Sequence, residues 1–301
     1  MTLGWALPLV IVMQTRSAGV PTRPVAWAAQ SPRPQACLAS PGLWEVSRQA
    51  LLARRCRELS RAQALLLRAP EQSLERASAL VAQAPELLEA RVLRGRASLR
   101  VGKPDAALAD LLPLLAEGAP GVADPAALQD GGRAALALQD LANAARFYRR
   151  LGSGASLLPE RAQQAAAYIE IAATLLATPA PPLDEVLAYL REARRRSAGS
   201  GFGALSIGLT ALAWVAQGRE AEGQGVLTEL GDPWLLERFE KPAEVWLPAP
   251  VFHAMMGLAL ERQKGELSAE HYRAVAESPI AGGPLGKLAS RRKEPAKRGA
   301  R

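Results

Sequence analysis

Apolar residues recur every three or four positions along most of the chain between residues 44 and 277. The residues between them are mainly charged or small, so each such segment has one apolar and one polar helical face. Few segments alternate apolar and polar residues as half-buried strands do. The pattern therefore predicts an all-α fold. One of its apolar stripes is formed by Leu52, Cys56, Leu59 and Leu66.

Glycines and prolines divide these apolar segments into pairs of helices. Gly102 and Gly218 stand at predicted turns, where glycine readily takes a positive φ. Asp124 precedes Pro125, which is an N-cap followed by the proline favoured in a first turn. The predicted pairs occupy residues 44–82, 88–120, 124–151, 159–196, 211–230 and 251–277.

The second pair carries two further local signals. Asp105 is expected to be the N-cap of its second helix. Pro113 is expected to kink or shorten that helix, because an interior proline removes a backbone hydrogen bond.

Small residues recur at a fixed distance within four of these pairs. A twelve-residue step joins a residue of the first helix to a residue of the second. Small side chains at both positions allow two helices to cross closely. The four steps are Gly95 to Ala107, Gly132 to Ala144, Ala211 to Gly223 and Gly257 to Ala269.

This layout resembles that of tetratricopeptide-repeat (TPR) proteins over residues 44–277, although the usual early tryptophan and most of the aromatic positions are missing. Related helical-pair families such as Sel1-like repeats remain an alternative. The resemblance implies an α-solenoid of about six antiparallel helix pairs, wound as a right-handed superhelix. The first helices would line its concave face, which in such proteins holds a peptide from a partner.

If this register is correct, four polar side chains point toward the concave face. Their guanidinium and amide groups could bind the carboxylates of an acidic peptide. The alternative is that the arginines are solvated on ordinary helix surfaces. The asparagines of the carboxylate-clamp subclass are missing, so that specificity is not carried over. The predicted groove residues are Arg96, Arg100, Gln129 and Arg133.

The formal net charge of +8 does not describe the predicted helical body. Residues 287–301 alone hold seven cations and one anion, so most of the excess lies at the C-terminus. We predict a disordered basic tail over residues 278–301. The segment Lys287 to Arg301 could make weak, salt-dependent contacts with a polyanion or an anionic membrane, or could simply aid solubility.

The N-terminal 43 residues form no helical pattern. Leu3 to Met13 is an apolar run too short to span a bilayer as a helix, and Ala26-Trp27-Ala28 fits a cleavage site. We predict a signal peptide at residues 1–28 and a Pro-rich extended arm at 29–43. A misassigned start, a disordered N-terminus or a lipoprotein signal ending at Cys37 are the alternatives.

The chain has two cysteines, Cys37 and Cys56. In an exported protein they would form a disulfide that joins the arm to the first helix. Otherwise Cys56 is a small apolar residue on its helix stripe.

An irregular insertion interrupts the repeats at residues 231–250. It carries Trp234, Phe239 and Trp246 in a chain that is only 5% aromatic. These aromatic residues form either a plug that packs over the repeats or a binding loop.

The sequence contains no recognisable catalytic or metal-binding motif. His253 and His271 stand alone, and no nucleophile elbow or zinc-ligand spacing is present. We therefore predict no enzyme activity, cofactor, metal or small-molecule substrate. The predicted function is that of an exported, periplasmic or otherwise extracytoplasmic scaffold that binds a protein or peptide, as part of a cell-envelope assembly. A cytoplasmic regulatory or nucleic-acid-associated adaptor that uses the basic tail is the alternative.

Overall fold

The computed structural model describes residues 50–85, 87–116, 124–197, 201–230, 245–261 and 265–293. These residues form thirteen α-helices and no strand, which confirms the all-α fold for this part of the chain. The helices are α1 (Ala50–Leu65), α2 (Pro70–Gln83), α3 (Leu88–Arg100), α4 (Pro104–Leu111), α5 (Pro125–Ala137), α6 (Leu141–Gly152), α7 (Arg161–Leu176), α8 (Leu183–Arg196), α9 (Phe202–Ala216), α10 (Glu220–Thr228), α11 (Ala249–Leu260), α12 (Gly265–Ala276) and α13 (Pro284–Arg292).

The chain divides into two compact units between Lys103 and Pro104. The first unit contains α1, α2 and α3, with α2 packed against both neighbours. Leu59, Leu66 and Leu80 belong to its core. The hydroxyl of Ser73 in α2 donates to the carbonyl of Ala62 in α1 at 2.8 Å, so the two helices are linked through their buried faces.

The second unit contains α4 to α13. Consecutive helices pack as the pairs α5–α6, α7–α8, α9–α10 and α11–α12. Each of the first three pairs also packs against the first helix of the next pair. The first helices α7, α9 and α11 also contact one another. Helix α7 lies deepest, with every residue from 165 to 176 buried.

Local sequence signals explain several helix ends. Asp124 accepts a hydrogen bond from the backbone nitrogen of Ala126 at 3.0 Å, which confirms the predicted N-cap. Gly102 and Gly218 have φ values of +76° and +80°, as expected for turns that end a helix. In the third pair a non-glycine residue, Gln139, takes this conformation with φ of 59°.

The two signals in the second pair have different outcomes. Helix α4 ends at Leu111 and continues as a 3₁₀ turn over Leu112–Leu115, so Pro113 does shorten the helix. The N-cap prediction for Asp105 is wrong. Helix α4 already begins at Pro104, which places Asp105 in the first turn, where its charge complements the helix dipole.

Glycines mark close crossings between paired helices. A Cβ atom at Gly132 would lie 2.6 Å from the ring of Tyr148, and one at Gly223 would lie 2.8 Å from the carbonyl oxygen of Ala211. A Cβ at Gly257 would lie 3.0 Å from the ring of Tyr272. The small residues are therefore required by packing, and in the third and sixth pairs a tyrosine ring fills the space above the glycine.

Part of the predicted disordered tail is folded, so the prediction is wrong for this part. Helix α13 packs against α12 and also contacts α9 and α11. Its apolar residues Leu285, Leu288 and Ala289 are buried. They recur at helical spacing, so this basic segment still has one apolar helical face that can be buried.

Several predictions concern other parts of the chain. The signal peptide, the Pro-rich arm, residues 231–244 of the insertion and residues 294–301 of the tail lie outside the described residues. Among the helices that are described, none is both long and apolar enough to cross a bilayer.

Candidate functional site

A buried carboxylate, Glu170 of α7, gathers polar groups from three other parts of the second unit. We call this set the Glu170 cluster. The side chain of Glu170 is fully buried. Glu170 stands between Ile169 and Ile171 in an apolar helix. It accepts hydrogen bonds from Gln129 Nε2 at 2.9 Å, Arg133 Nη2 at 2.6 Å, Arg133 Nε at 3.1 Å, the Tyr148 hydroxyl at 3.2 Å and the backbone nitrogen of Trp246 at 3.2 Å.

The charges in the Glu170 cluster balance each other. Burial acts to lower the pKa of Arg133, but the Glu170 carboxylate opposes it, and the pKa of Arg133 is raised overall. Burial, followed by the charge of Glu170, raises the pKa of Tyr148. Arg133 therefore stays charged and Tyr148 stays a neutral donor. A buried carboxylate with this many donors holds helices together and leaves little capacity to accept a further group.

The four predicted groove residues have different surroundings. In the first unit Arg96 is only 2% exposed, while Arg100 is half-buried. In the second unit Gln129 is 3% exposed, and both it and Arg133 donate to Glu170. Gln129 and Arg133 are four residues apart, so they lie on one face of α5. However, they bind an internal carboxylate, so the acidic-peptide site remains a prediction with only part of its donors at the surface.

Helix α9 has a solvent-reaching stripe that the sequence alone did not reveal. The helix packs against α7, α8, α10, α11 and α13, and most of its residues are buried. Six of its residues are half-buried, and four of these lie on one face by their spacing, namely Gly203, Ile207, Thr210 and Trp214. We call this set the α9 stripe. At its end the guanidinium of Arg219 lies 3.9 Å from the ring centroid of Trp214, a cation–π contact.

The described end of the insertion packs against the repeats. Residues 245–247 are half-buried, Pro248 is buried, and the backbone nitrogen of Trp246 donates to Glu170. This part of the insertion fits the plug interpretation. Trp234 and Phe239 lie outside the described residues.

The two histidines are separate in the sequence but meet in the structure. His253 of α11 and His271 of α12 have Nδ1 atoms 2.8 Å apart. The sequence-based view that each stands alone was therefore wrong, because helix packing joins positions that are eighteen residues apart. Burial lowers the pKa of both imidazoles.

Helix α13 is held to the repeats by charged groups at its end. Arg292 forms ion pairs with Glu261 and Glu220, and the hydroxyl of Tyr272 donates to Glu261 at 2.6 Å. Burial raises the pKa of Glu261 and lowers that of Arg292. One of the seven cations of the predicted tail is thus engaged within the fold.

Cys56 in α1 is half-buried and disulfide-bonded. Cys37 lies outside the described residues, so the pairing of Cys37 with Cys56 remains a prediction.

Within the described residues, no three or more His, Cys, Asp or Glu side chains gather as a metal site would require. Comparison with known proteins gives no match to a family model, a curated protein or a solved structure.

Proposed function

We propose that this chain is a TPR-like helical-repeat protein whose first helices present a binding surface for a protein or peptide partner. The observation that supports this most is the packing of α7, α9 and α11 on one another, each beside its own second helix. Helix pairs that stack in this way form solenoids with a continuous face lined by first helices. In this proposal the pairs wind as a right-handed superhelix, and the partner binds its concave face.

The α9 stripe is the part of this face that a partner would contact. Helix α9 packs against two first helices, two second helices and α13, and the residues of the α9 stripe stay partly exposed among these neighbours. Ile207 and Trp214 offer apolar surface, and Arg219 adds a cation beside the Trp214 ring, where it also pairs with Glu222 at 2.9 Å. Aromatic residues and arginines are the groups that most often dominate binding energy. A partner with apolar side chains and a neighbouring carboxylate fits this surface.

Export is the second element of the proposal. A disulfide-bonded Cys56 supports it, because disulfides persist in oxidising compartments and are rare in the cytosol. The cell envelope, with an extracytoplasmic assembly as the setting, is therefore the proposed location. Labelling of the native protein with a thiol reagent tests it: unreacted cysteines before reduction are expected, and ready labelling would contradict export.

Co-purification from the native cell tests partner binding. The wild-type chain is compared with a variant carrying Ile207→Lys and Thr210→Lys, which places two charges on the α9 stripe. The matched control carries Ala221→Lys and Gly225→Lys on the exposed face of α10, the second helix of the same pair.

Circular dichroism first establishes that all three proteins are folded. We expect the wild type and the control to retain the same partner and the stripe variant to lose it. Equal capture by all three proteins would refute the α9 stripe as the binding surface.

The alternative function, a cytoplasmic adaptor that binds nucleic acid, has less support. Arg292 is committed to Glu261 and Glu220, although Lys287 and Arg291 are exposed on α13. Binding of the full chain to duplex DNA, measured at increasing salt, would favour this alternative if it persisted above physiological ionic strength.

A further inference from the structure

The imidazoles of His253 and His271 point directly at each other. Their ring centroids are 5.1 Å apart and their Nδ1 atoms are 2.8 Å apart. The difference between these distances, 2.3 Å, is about the diameter of an imidazole ring, so both Nδ1 atoms lie on the line between the centroids. The arrangement is a straight N–H···N hydrogen bond. The lone pairs do not converge on a third point, as they would at a metal site.

Such a bond exists only for certain protonation states. One Nδ1 must carry a proton and donate, and the other must be unprotonated and accept. A pair with two protons on its four ring nitrogens, neutral overall, or with three protons, singly charged, can satisfy this. When both rings are imidazolium ions, both Nδ1 atoms carry protons, and two like charges face each other across the contact.

We propose that His253 and His271 form a proton-operated latch, which holds α11 against α12 near neutral pH and opens when both rings are protonated. The latch joins two helices whose closeness also depends on Gly257, where Tyr272 packs. Helix α13 packs against α12, so opening the latch loosens the support of α13 as well.

The neighbouring charges do not override this behaviour. Helix α9 carries no titratable residue, and Glu170 of α7 is already paired with Arg133. Glu270, beside His271, favours a proton on that ring, but burial and the facing His253 outweigh it. The other charged groups on the packed elements or directly after them are Arg161 of α7, Glu261 after α11, Glu266 and Arg273 of α12, Glu277 after α12, Lys287, Arg291 and Arg292 of α13, and Lys293 after α13. Of these, Glu261 and Arg292 bind each other and none contributes to the shift of either histidine.

The direction of the pH effect follows from the buried, neutral state of the pair. In the unfolded chain each histidine takes up a proton near pH 6.5. Because burial lowers the pKa of both rings, the folded protein binds fewer protons just below that pH. The contribution of the histidine pair to the stability of the α11–α12 packing is therefore fully present above pH 6.5. It is lost progressively as the pH falls toward the pKa values that the two rings have in the folded protein.

Nitrogen-15 NMR of the full chain tests the latch, since the sequence contains only two histidines. At pH 7.5 we expect one ring as the Nδ1–H tautomer and the other as Nε2–H. On acidification the rings should titrate in two steps more than about one pH unit apart, which is a tenfold or greater difference in proton affinity. Two Nε2–H rings that titrate in a single step near pH 6.5 would overturn the proposal.

Hydrogen exchange measures the opening itself. Protection of amides in α11, α12 and α13 should fall at least tenfold across the lower step, while protection in α5 and α6 stays constant. In the His253→Asn/His271→Asn variant this pH dependence should disappear. If the same loss of protection persisted in that variant, carboxylates would be responsible and the latch would be refuted. If the variant did not fold, the ring titration of the wild type would decide.

Discussion

Removing the carboxylate of Glu170 is expected to destabilise the second unit severely. The variant Glu170→Ala leaves the guanidinium of Arg133 buried without its anion, and it leaves Gln129, Tyr148 and the Trp246 nitrogen without their acceptor. Breaking a buried ion pair by removing one partner costs about 3–5 kcal/mol. Domains of this kind have total stabilities of about 5–15 kcal/mol. The loss is thus a large share of the total.

Urea unfolding followed by circular dichroism measures this loss, with Glu192→Ala as the control. Glu192 lies on the surface of α8 in the same unit and pairs with Arg195 at 2.8 Å and with Arg196. Exposed pairs contribute about 1 kcal/mol or less. The combination of Glu170→Ala with Arg133→Ala should cost less than the sum of the single changes, because the two groups interact directly. A loss for Glu170→Ala no larger than that of the control, or strict additivity in the double variant, would show that the Glu170–Arg133 pair does not stabilise the unit.

Three further changes test the packing and the turns. Gly132→Ala would place a Cβ 2.6 Å from the Tyr148 ring and should cost about 1–3 kcal/mol of unfolding free energy, whereas Gly225→Ala in α10, with open space around it, should be neutral or stabilising. Gly102→Ala should cost about 1–2 kcal/mol of unfolding free energy because the φ of Gly102 is +76°. Gly201→Ala should not, because the φ of Gly201 is −59°. Equal costs would contradict the turn assignment. Arg292→Ala should lower hydrogen-exchange protection across α13 more than Arg291→Ala does. The reason is that Arg292 pairs with Glu261 and Glu220, whereas Arg291 is exposed. Unchanged protection would show that the buried leucines alone hold α13 in place.

Several helix ends could be predicted from the sequence because their signals are local. The cap at Asp124, the positive φ at Gly102 and Gly218, and the break at Pro113 each depend on a few neighbouring residues. The recurrence of small residues is also visible in one dimension. Two of those residues, Gly132 and Gly257, proved to make room for a tyrosine ring.

The polar contacts could not be predicted because periodicity identifies the buried face of a helix and not what it meets. Glu170 appeared to be one acid among many, although an acid between Ile169 and Ile171 in an alanine-rich helix is a signal of a buried, paired carboxylate. The contact between His253 and His271 depends on how α11 and α12 pack. Helix α13 was missed for a different reason. Its leucines have helical spacing, but the surrounding lysines and arginines indicated a solvated tail.

Site-specific photo-crosslinking in the native cell tests whether a partner binds the first-helix face. A photoreactive residue is placed at position 207, on the α9 stripe, or at position 221, on the exposed face of α10. We expect a discrete crosslinked protein from position 207 and none from position 221. Crosslinking from position 221 alone, or from neither position in folded and expressed protein, would contradict it.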